Sequence, residues 1–210
     1  MPTRIERFGW ALVDNAGDFG VQLKDIDVQR LSNYYELLLK WNDRLHLVAP
    51  CSPEEFATRH VLESLLLLRH LTSNARVVDV GSGGGLPIVP CLIIRNDLHA
   101  TLIESSQKKG VFLREALRGV PSREQARLTV TRFEKTVAPE AEFITCRALD
   151  RLEAMLPTLV NWAPTKCSFL LFAGVTLRRQ VEVLLPSASA EPIPKSERRY
   201  LLLAKRITPA

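Results

Sequence analysis

A glycine-rich turn is the segment of this sequence best suited to hold a small ligand. It follows an apolar run, residues 77–80, and its glycines are Gly81, Gly83, Gly84 and Gly85. Glycine places no Cβ between the backbone and a ligand, and Pro87 can begin a helix whose N-terminus presents free N–H groups. We therefore expect a ligand to lie against this turn.

The spacing of the turn distinguishes two kinds of nucleotide-binding site. Counted from Gly81, the dinucleotide fingerprint G-x-G-x-x-G/A requires a small residue where this chain has Leu86. This argues against a nicotinamide dinucleotide. G-x-G-x-G after an acidic residue, here Asp79, resembles instead the class I methyltransferases, in which the turn faces the methionine and ribose parts of S-adenosylmethionine.

A carboxylate at the end of the next predicted strand completes that pattern. Glu104 lies about 20 residues beyond the first glycine, which is the spacing of a ribose-binding acid. Its two oxygens can accept hydrogen bonds from both ribose hydroxyls. A glutamate at a strand end, taken alone, is more often simply solvated, so the prediction depends on its pairing with the glycine turn.

Two helices are predicted before the turn. Apolar residues recur at every third and fourth position over residues 29–47, which indicates an amphipathic helix. A second helix begins after Ser52, whose hydroxyl can cap it, with Pro53 in the first position and Glu55 as the partner in a capping box. It is expected to end near Leu71. Residues 1–72 thus form a predicted N-terminal helical extension.

Short apolar strands alternate with helical stretches after residue 72, which is typical of an α/β fold with a parallel sheet. The predicted strands are residues 76–80, 100–103, 128–131, 143–146, 168–172 and 200–207. The predicted crossover helices are residues 87–94, 107–117, 152–160 and 177–184, and residues 187–194 are predicted to form a loop. We expect residues 73–210 to form one compact Rossmann-like core, with its ligand crevice at the carboxyl ends of the strands.

Short signatures in a fixed order make the resemblance more specific. They are Lys40-Trp41-Asn42, Arg59 to Leu65, Asp79 to Pro87, Glu104-Ser105 with Lys108-Lys109, Arg132-Phe133-Glu134 and Arg147-Ala148-Leu149. They span roughly residues 31–157 and resemble the small-subunit ribosomal RNA methyltransferase G family, also called the glucose-inhibited division protein B family. The resemblance implies a class I methyltransferase fold and methyl transfer from S-adenosylmethionine to N7 of a guanosine in 16S rRNA.

The resemblance also implies two sets of site residues. The cofactor-binding set comprises Asp79, Gly81, Gly83, Gly85, Leu86, Glu104, Phe133, Glu134 and Arg147. The substrate-binding set comprises Arg59, His60, Lys108 and Lys109. Phe133 is expected to stack on the adenine, with core packing as the alternative. No catalytic base is assigned, because N7 of neutral guanine carries a lone pair and loses no proton when it is methylated.

Charge and composition favour an anionic partner. The net charge is +5 and the isoelectric point is about 9.2, which suits 16S rRNA or an assembling small subunit, although many basic proteins bind no nucleic acid. Apolar runs are far shorter than the roughly 20 residues of a membrane span, and the first residues lack a secretory apolar stretch. We expect a cytoplasmic monomer without a metal ion, with its four cysteines reduced and buried.

Departures from the family pattern leave two other functions open. Ala173-Gly174 stands where the family usually has Lys-Gly, Ile88 where it has glycine, and Glu63 where it has aspartate. A non-catalytic cofactor-binding protein that binds RNA or assists ribosome assembly is one alternative. A class I methyltransferase that acts on a different acceptor, such as a small molecule or a protein, is the other.

Overall fold

A seven-stranded sheet forms the centre of the computed structural model, which describes residues 1–147 and 152–206. The strands are β1 (Arg76–Val80), β2 (His99–Glu104), β3 (Ala126–Val130), β4 (Phe143–Cys146), β5 (Ser168–Gly174), β6 (Ser189–Pro192) and β7 (Arg199–Lys205). Their order in the sheet is β3-β2-β1-β4-β5-β7-β6. Strands β1 to β5 pair in parallel, whereas β7 is antiparallel to both β5 and β6. The strand order reverses between β1 and β4, so the ligand crevice is expected at their carboxyl ends.

Helices cover both faces of the sheet. They are α1 (Arg4–Ala16), α2 (Asp25–Leu45), α3 (Pro53–Glu55), α4 (Glu63–Leu65), α5 (Ile88–Ile94), α6 (Gln107–Arg118), α7 (Leu152–Trp162) and α8 (Val175–Leu184). A π-helical segment, Phe56–Leu62, joins α3 to α4. Within residues 1–147 and 152–206, no helix combines the length and apolarity that crossing a bilayer requires.

Alternate residues of the buried strands supply two hydrophobic cores. Val77 and Leu102 face the core formed with α1, α2, the π-helical segment, α5 and α6, whereas Val78 and Ile103 face the core formed with α7 and α8. Strands buried on both faces account for the nearly continuous apolar runs in the sequence. The first core joins the N-terminal helices to the sheet, and the boundary at residues 72 and 73 stays a prediction.

The predicted α/β fold class is confirmed, and the predicted strands lie close to their observed bounds. The expected loop at residues 187–194 is wrong in part, because Ser189–Pro192 pairs with the otherwise open edge of β7. The expectation of a parallel sheet fails for β7, which runs antiparallel to both β5 and β6. The predicted end of the last strand, Ile207, lies outside the described residues, and α1 was not predicted.

Two local predictions also need correction. The Ser52 hydroxyl accepts a hydrogen bond from the Glu55 backbone N–H at 3.0 Å as expected. However, the Glu55 carboxylate pairs with Arg59 at 2.9 Å instead of completing a capping box. Cys91, Cys146 and Cys167 are buried as expected, but Cys51 is only half-buried.

Candidate functional site

A cavity of about 320 Å³ lies at the carboxyl ends of β1, β2 and β4. One wall is the glycine turn, residues 81–84 with Leu86, and another is residues 47–49, which follow α2. The remaining lining residues are His60, Glu104, Ser105, Lys109 and Arg147. The structure therefore brings together most of the predicted cofactor site at the crevice that the strand order specifies.

The glycine turn has a backbone conformation that side chains disfavour. Gly81, Gly83 and Gly85 have φ angles of 74°, 54° and 81°, which lie in the left-handed region that glycine occupies without a steric cost. A Cβ on Gly85 would lie 2.6 Å from Cγ2 of Val89. A Cβ on Gly83 would meet only the Gly81 carbonyl oxygen, at 3.7 Å. Gly85 is therefore required for packing against Val89. Gly83 lines the cavity, and its lack of a side chain leaves room for a ligand there.

Glu104 is fixed by the backbone before any ligand binds. Its Oε2 accepts from the Gly83 N–H at 2.8 Å, and its Oε1 accepts from the Ser106 N–H at 2.7 Å. Oε2 has further lone-pair capacity for one hydroxyl, and at Oε1 a ligand hydroxyl could replace the long contact of 3.5 Å from the Ser105 hydroxyl. The carboxylate is thus oriented for a pair of neighbouring hydroxyl groups such as those of a ribose.

Asp79 lies beneath the glycine turn rather than in the cavity wall. It is 1% exposed, and neither of its carboxylate oxygens has a hydrogen-bonding partner within residues 1–147 and 152–206. Burial raises its pKa to about 7, with Ser82 acting to lower it and the Glu104 carboxylate contributing to the rise. A buried carboxylate without a partner is costly, so a cationic ligand in the adjoining cavity would offset part of that cost.

Arg147 joins the end of β4 to the π-helical segment. Its guanidinium donates to the carbonyl oxygens of Arg59 and His60, the latter at 2.9 Å, and to Oγ of Ser64 at 3.2 Å. It also lies 5.5 Å from the centre of the Phe172 ring. Burial lowers its pKa to about 10, which leaves it charged at neutral pH.

Glu63 is buried between two arginines beside this junction. Its side chain is 3% exposed, and it pairs with Arg199 at 2.6 Å and with Arg147 at 3.4 Å. Burial raises the pKa of Glu63 to about 7, while both guanidinium groups act to lower it. We expect the ionised form, because a carboxylate enclosed by two permanent cations is compensated. This cluster was not predicted from the sequence.

The wall formed by residues 47–49 is held by Asn42, a residue of the first signature. The Asn42 amide donates to the Val48 carbonyl at 3.1 Å and accepts from the Val48 N–H at 3.0 Å. On the same helix, the Tyr34 hydroxyl donates to the Gly84 carbonyl. Helix α2 therefore positions two walls of the cavity through side chains that sequence analysis had not placed in the site.

Several predicted site residues lie outside the cavity wall. Phe133 is 3% exposed and contacts Trp162 edge-on, with ring centroids 5.4 Å apart, while Glu134 is exposed. Arg59 and Lys108 are exposed beside the lining residues His60 and Lys109. Their assigned roles stay predictions. Ala148 and Leu149 of the last signature lie outside the described residues.

The lining suits a ligand that combines hydroxyl groups with positive charge. Glu104 provides acceptors, the buried Asp79 carboxyl group behind the turn would gain from a nearby positive charge, and the glycines of the turn present only backbone. Within residues 1–147 and 152–206, no group of three or more histidine, cysteine or acidic side chains is arranged to hold a metal ion. The arrangement therefore fits S-adenosylmethionine, whose ribose and sulfonium meet these requirements.

Comparison with known proteins agrees with this interpretation. Residues 27–196 match the family described as rRNA small subunit methyltransferase G. A ribosomal RNA small subunit methyltransferase G from Xanthomonas axonopodis pv. citri is 35% identical over 82% of this chain and 82% of its own. One from Chromobacterium violaceum is 32% identical over 85% of each chain.

Solved structures show the same fold at low sequence identity. An RNA methyltransferase from Salinibacter ruber in complex with S-adenosyl-L-homocysteine has a TM-score of 0.54 and 12% identity, and the match covers 78% of this chain and 96% of that one. P. horikoshii TYW2 in complex with MeSAdo has a TM-score of 0.57 and 13% identity over 71% and 63%. Both confirm the methyltransferase fold.

Proposed function

Because the chain belongs to the rRNA small subunit methyltransferase G family, we propose that it transfers a methyl group from S-adenosylmethionine to N7 of a guanosine in 16S rRNA. The substrate is the rRNA itself or an assembling small subunit. The protein acts in the cytoplasm as a monomer and requires neither a membrane nor a metal ion.

One observation carries the proposal: the glycine turn and Glu104 form adjacent walls of one cavity, joined by the hydrogen bond from the Gly83 N–H. When bound there, S-adenosylmethionine supplies an electrophilic methyl group. Glu104 binds the ribose hydroxyls, and the backbone of residues 81–84 adjoins the methionine part. His60, Lys109 and Arg147 line the rest of the cavity, and the target base enters beside them.

Positioning is the main catalytic effect that this reaction requires. N7 of guanine attacks with its lone pair and releases no proton, so holding it in line with the methyl group can supply much of the rate. The Glu104 carboxylate accepts from two backbone N–H groups and, in this proposal, from the ribose hydroxyls, so it is not assigned as a base. The chain's own contribution is therefore to fix the two reactants.

The Ala173 departure does not alter the described cavity wall. Ala173 is 5% exposed and packs in the core with α7 and α8. Strand β7 places a positive charge beside the end of β5. Its Arg199 lies opposite Gly174 and forms an ion pair with Glu63. This placement favours an active enzyme over the non-catalytic alternative.

The test is methyl transfer to RNA with identification of the product. The purified protein is incubated with labelled S-adenosylmethionine and either undermethylated small subunits or their free 16S rRNA, and the RNA is digested to nucleosides. We expect label in 7-methylguanosine. Label in another nucleoside would contradict the acceptor, and tight cofactor binding without transfer to either RNA would support the non-catalytic alternative.

A further inference from the structure

The protonation state of His60 follows from its contact with Arg147. Nδ1 of the ring lies 3.2 Å from Nη2 of Arg147. A guanidinium group can only donate hydrogen bonds, so this contact is favourable only if Nδ1 accepts and carries no proton. A neutral imidazole then has its proton on Nε2. The geometry therefore makes His60 a neutral hydrogen-bond donor through Nε2.

The surroundings of the ring preserve that neutral state. Burial, followed by the charges of Arg147, Arg59 and Arg199, lowers the pKa of His60 to about 3. Two carboxylates face these arginines and both are already paired, Glu63 with Arg147 and Arg199 and Glu55 with Arg59. His60 is consequently neutral near pH 7.

The Nε2 donor is available to a ligand. His60 lines the cavity, and its Nε2 makes no hydrogen bond within residues 1–147 and 152–206. The ring is also held by Phe56, with centroids 5.1 Å apart. A rigid neutral ring with one unused N–H thus forms part of the wall near the expected acceptor.

We propose that His60 determines specificity by donating from Nε2 to O6 of the target guanine. Guanine presents N7 and O6 as adjacent acceptors on one edge, whereas adenine presents an amino donor in place of O6. A donor at this point would hold guanine with N7 toward the methyl group and would oppose adenine. The proposal rests on the proposed methylation of guanine N7. Neutrality also matters, because a charged imidazolium would repel the positive charge that N7 acquires.

The experiment combines changes on both sides of this hydrogen bond. Once the methylated guanosine has been mapped, 16S rRNA is assembled by ligation around an oligonucleotide that carries guanosine or 2-aminopurine there. 2-Aminopurine keeps N7 but lacks O6. Single-turnover methylation is measured for wild type, His60→Ala and His60→Gln at saturating cofactor. His99→Ala is the control, because His99 is exposed at the opposite end of the sheet.

We expect His60→Ala and 2-aminopurine each to slow transfer about tenfold, and the two changes together to slow it no further. His60→Gln should recover most of the rate on guanosine, because its amide can accept from Arg147 and donate to O6. Cofactor affinity should be unchanged in both variants.

Independent, multiplying effects of the two changes would overturn the assignment, as would equal losses in the alanine and glutamine variants. If wild type methylates no guanosine, the proposed function fails instead. The two failures are therefore distinguishable.

Discussion

Glu104 and Gly83 show at the residue scale how a short spacing pattern becomes a binding site. The glycine N–H and the carboxylate are 21 positions apart in the chain and form one hydrogen bond of 2.8 Å across the ends of neighbouring strands. That contact orients the acceptors before the cofactor arrives. Binding then avoids the loss of side-chain freedom that a mobile glutamate would undergo.

Glu104→Ala should weaken S-adenosylmethionine binding by on the order of 1–3 kcal/mol, because the ribose hydroxyls lose their acceptors. Gly83→Val should weaken it similarly, because valine strains the left-handed backbone at φ 54° and fills the cavity wall. Titration calorimetry measures both changes. Glu197→Ala, which removes an exposed carboxylate elsewhere, should bind like wild type. Unchanged affinity in both site variants would show that the cofactor binds elsewhere.

The sequence predicted Glu104 but could not predict Glu63 as part of the site. Glu104 has a fixed distance from the glycine turn, because one crossover helix separates their strands. Glu63 meets Arg147 and Arg199 through contacts that span 84 and 136 positions. Local sequence periodicity carries no information about contacts between residues so far apart in the chain. Taken alone, Glu63 resembles any other glutamate on a helix. Arg147 and His60 were identified only through the family resemblance.

At the scale of elements, the π-helical segment explains how Arg147 can bind two successive backbone carbonyl groups beside the cavity. Its wider turns shift the backbone hydrogen-bonding pattern, and the carbonyl oxygens of Arg59 and His60 accept from Arg147. The sequence predicted a continuous helix over this region. Helical periodicity does not reveal the π-helical turns, because one short π-helical segment changes the spacing of apolar residues only slightly within an otherwise helical pattern.

Asn42 of helix α2 holds the wall formed by residues 47–49 in place. Asn42→Ala removes two hydrogen bonds to the Val48 backbone, which should lower the free energy of unfolding by about 1–3 kcal/mol and loosen that wall. We expect weaker cofactor binding together with the lower stability. Asn33→Ala, at an exposed position on the same helix, is the matched control. Denaturant unfolding and calorimetry measure the two effects, and a stability loss with unchanged affinity would separate this wall from the site.

At the scale of the whole molecule, the strand order and the N-terminal helices together define the cavity. The reversal between β1 and β4 provides the crevice, and helices from the first 70 residues close it from one side. The alternation of strands and helices predicted the sheet well. It could not predict β6, because Ser189–Pro192 has no apolar alternation and pairs only along the free edge of β7.

Basic residues lie at both ends of the sheet, but only some of them lie beside the cavity. Lys108 and Lys109 begin α6 beside the cavity, whereas Arg123 is exposed near the opposite ends of the strands. If the former pair contacts RNA phosphates, the logarithm of RNA affinity should fall linearly with the logarithm of salt concentration. The slope should become shallower by roughly one for each lysine changed to alanine. Arg123→Ala should leave the slope unaltered, because its charge faces away from the cavity. Filter binding of 16S rRNA over a series of salt concentrations measures this, and equal slopes for all variants would place the RNA on another surface.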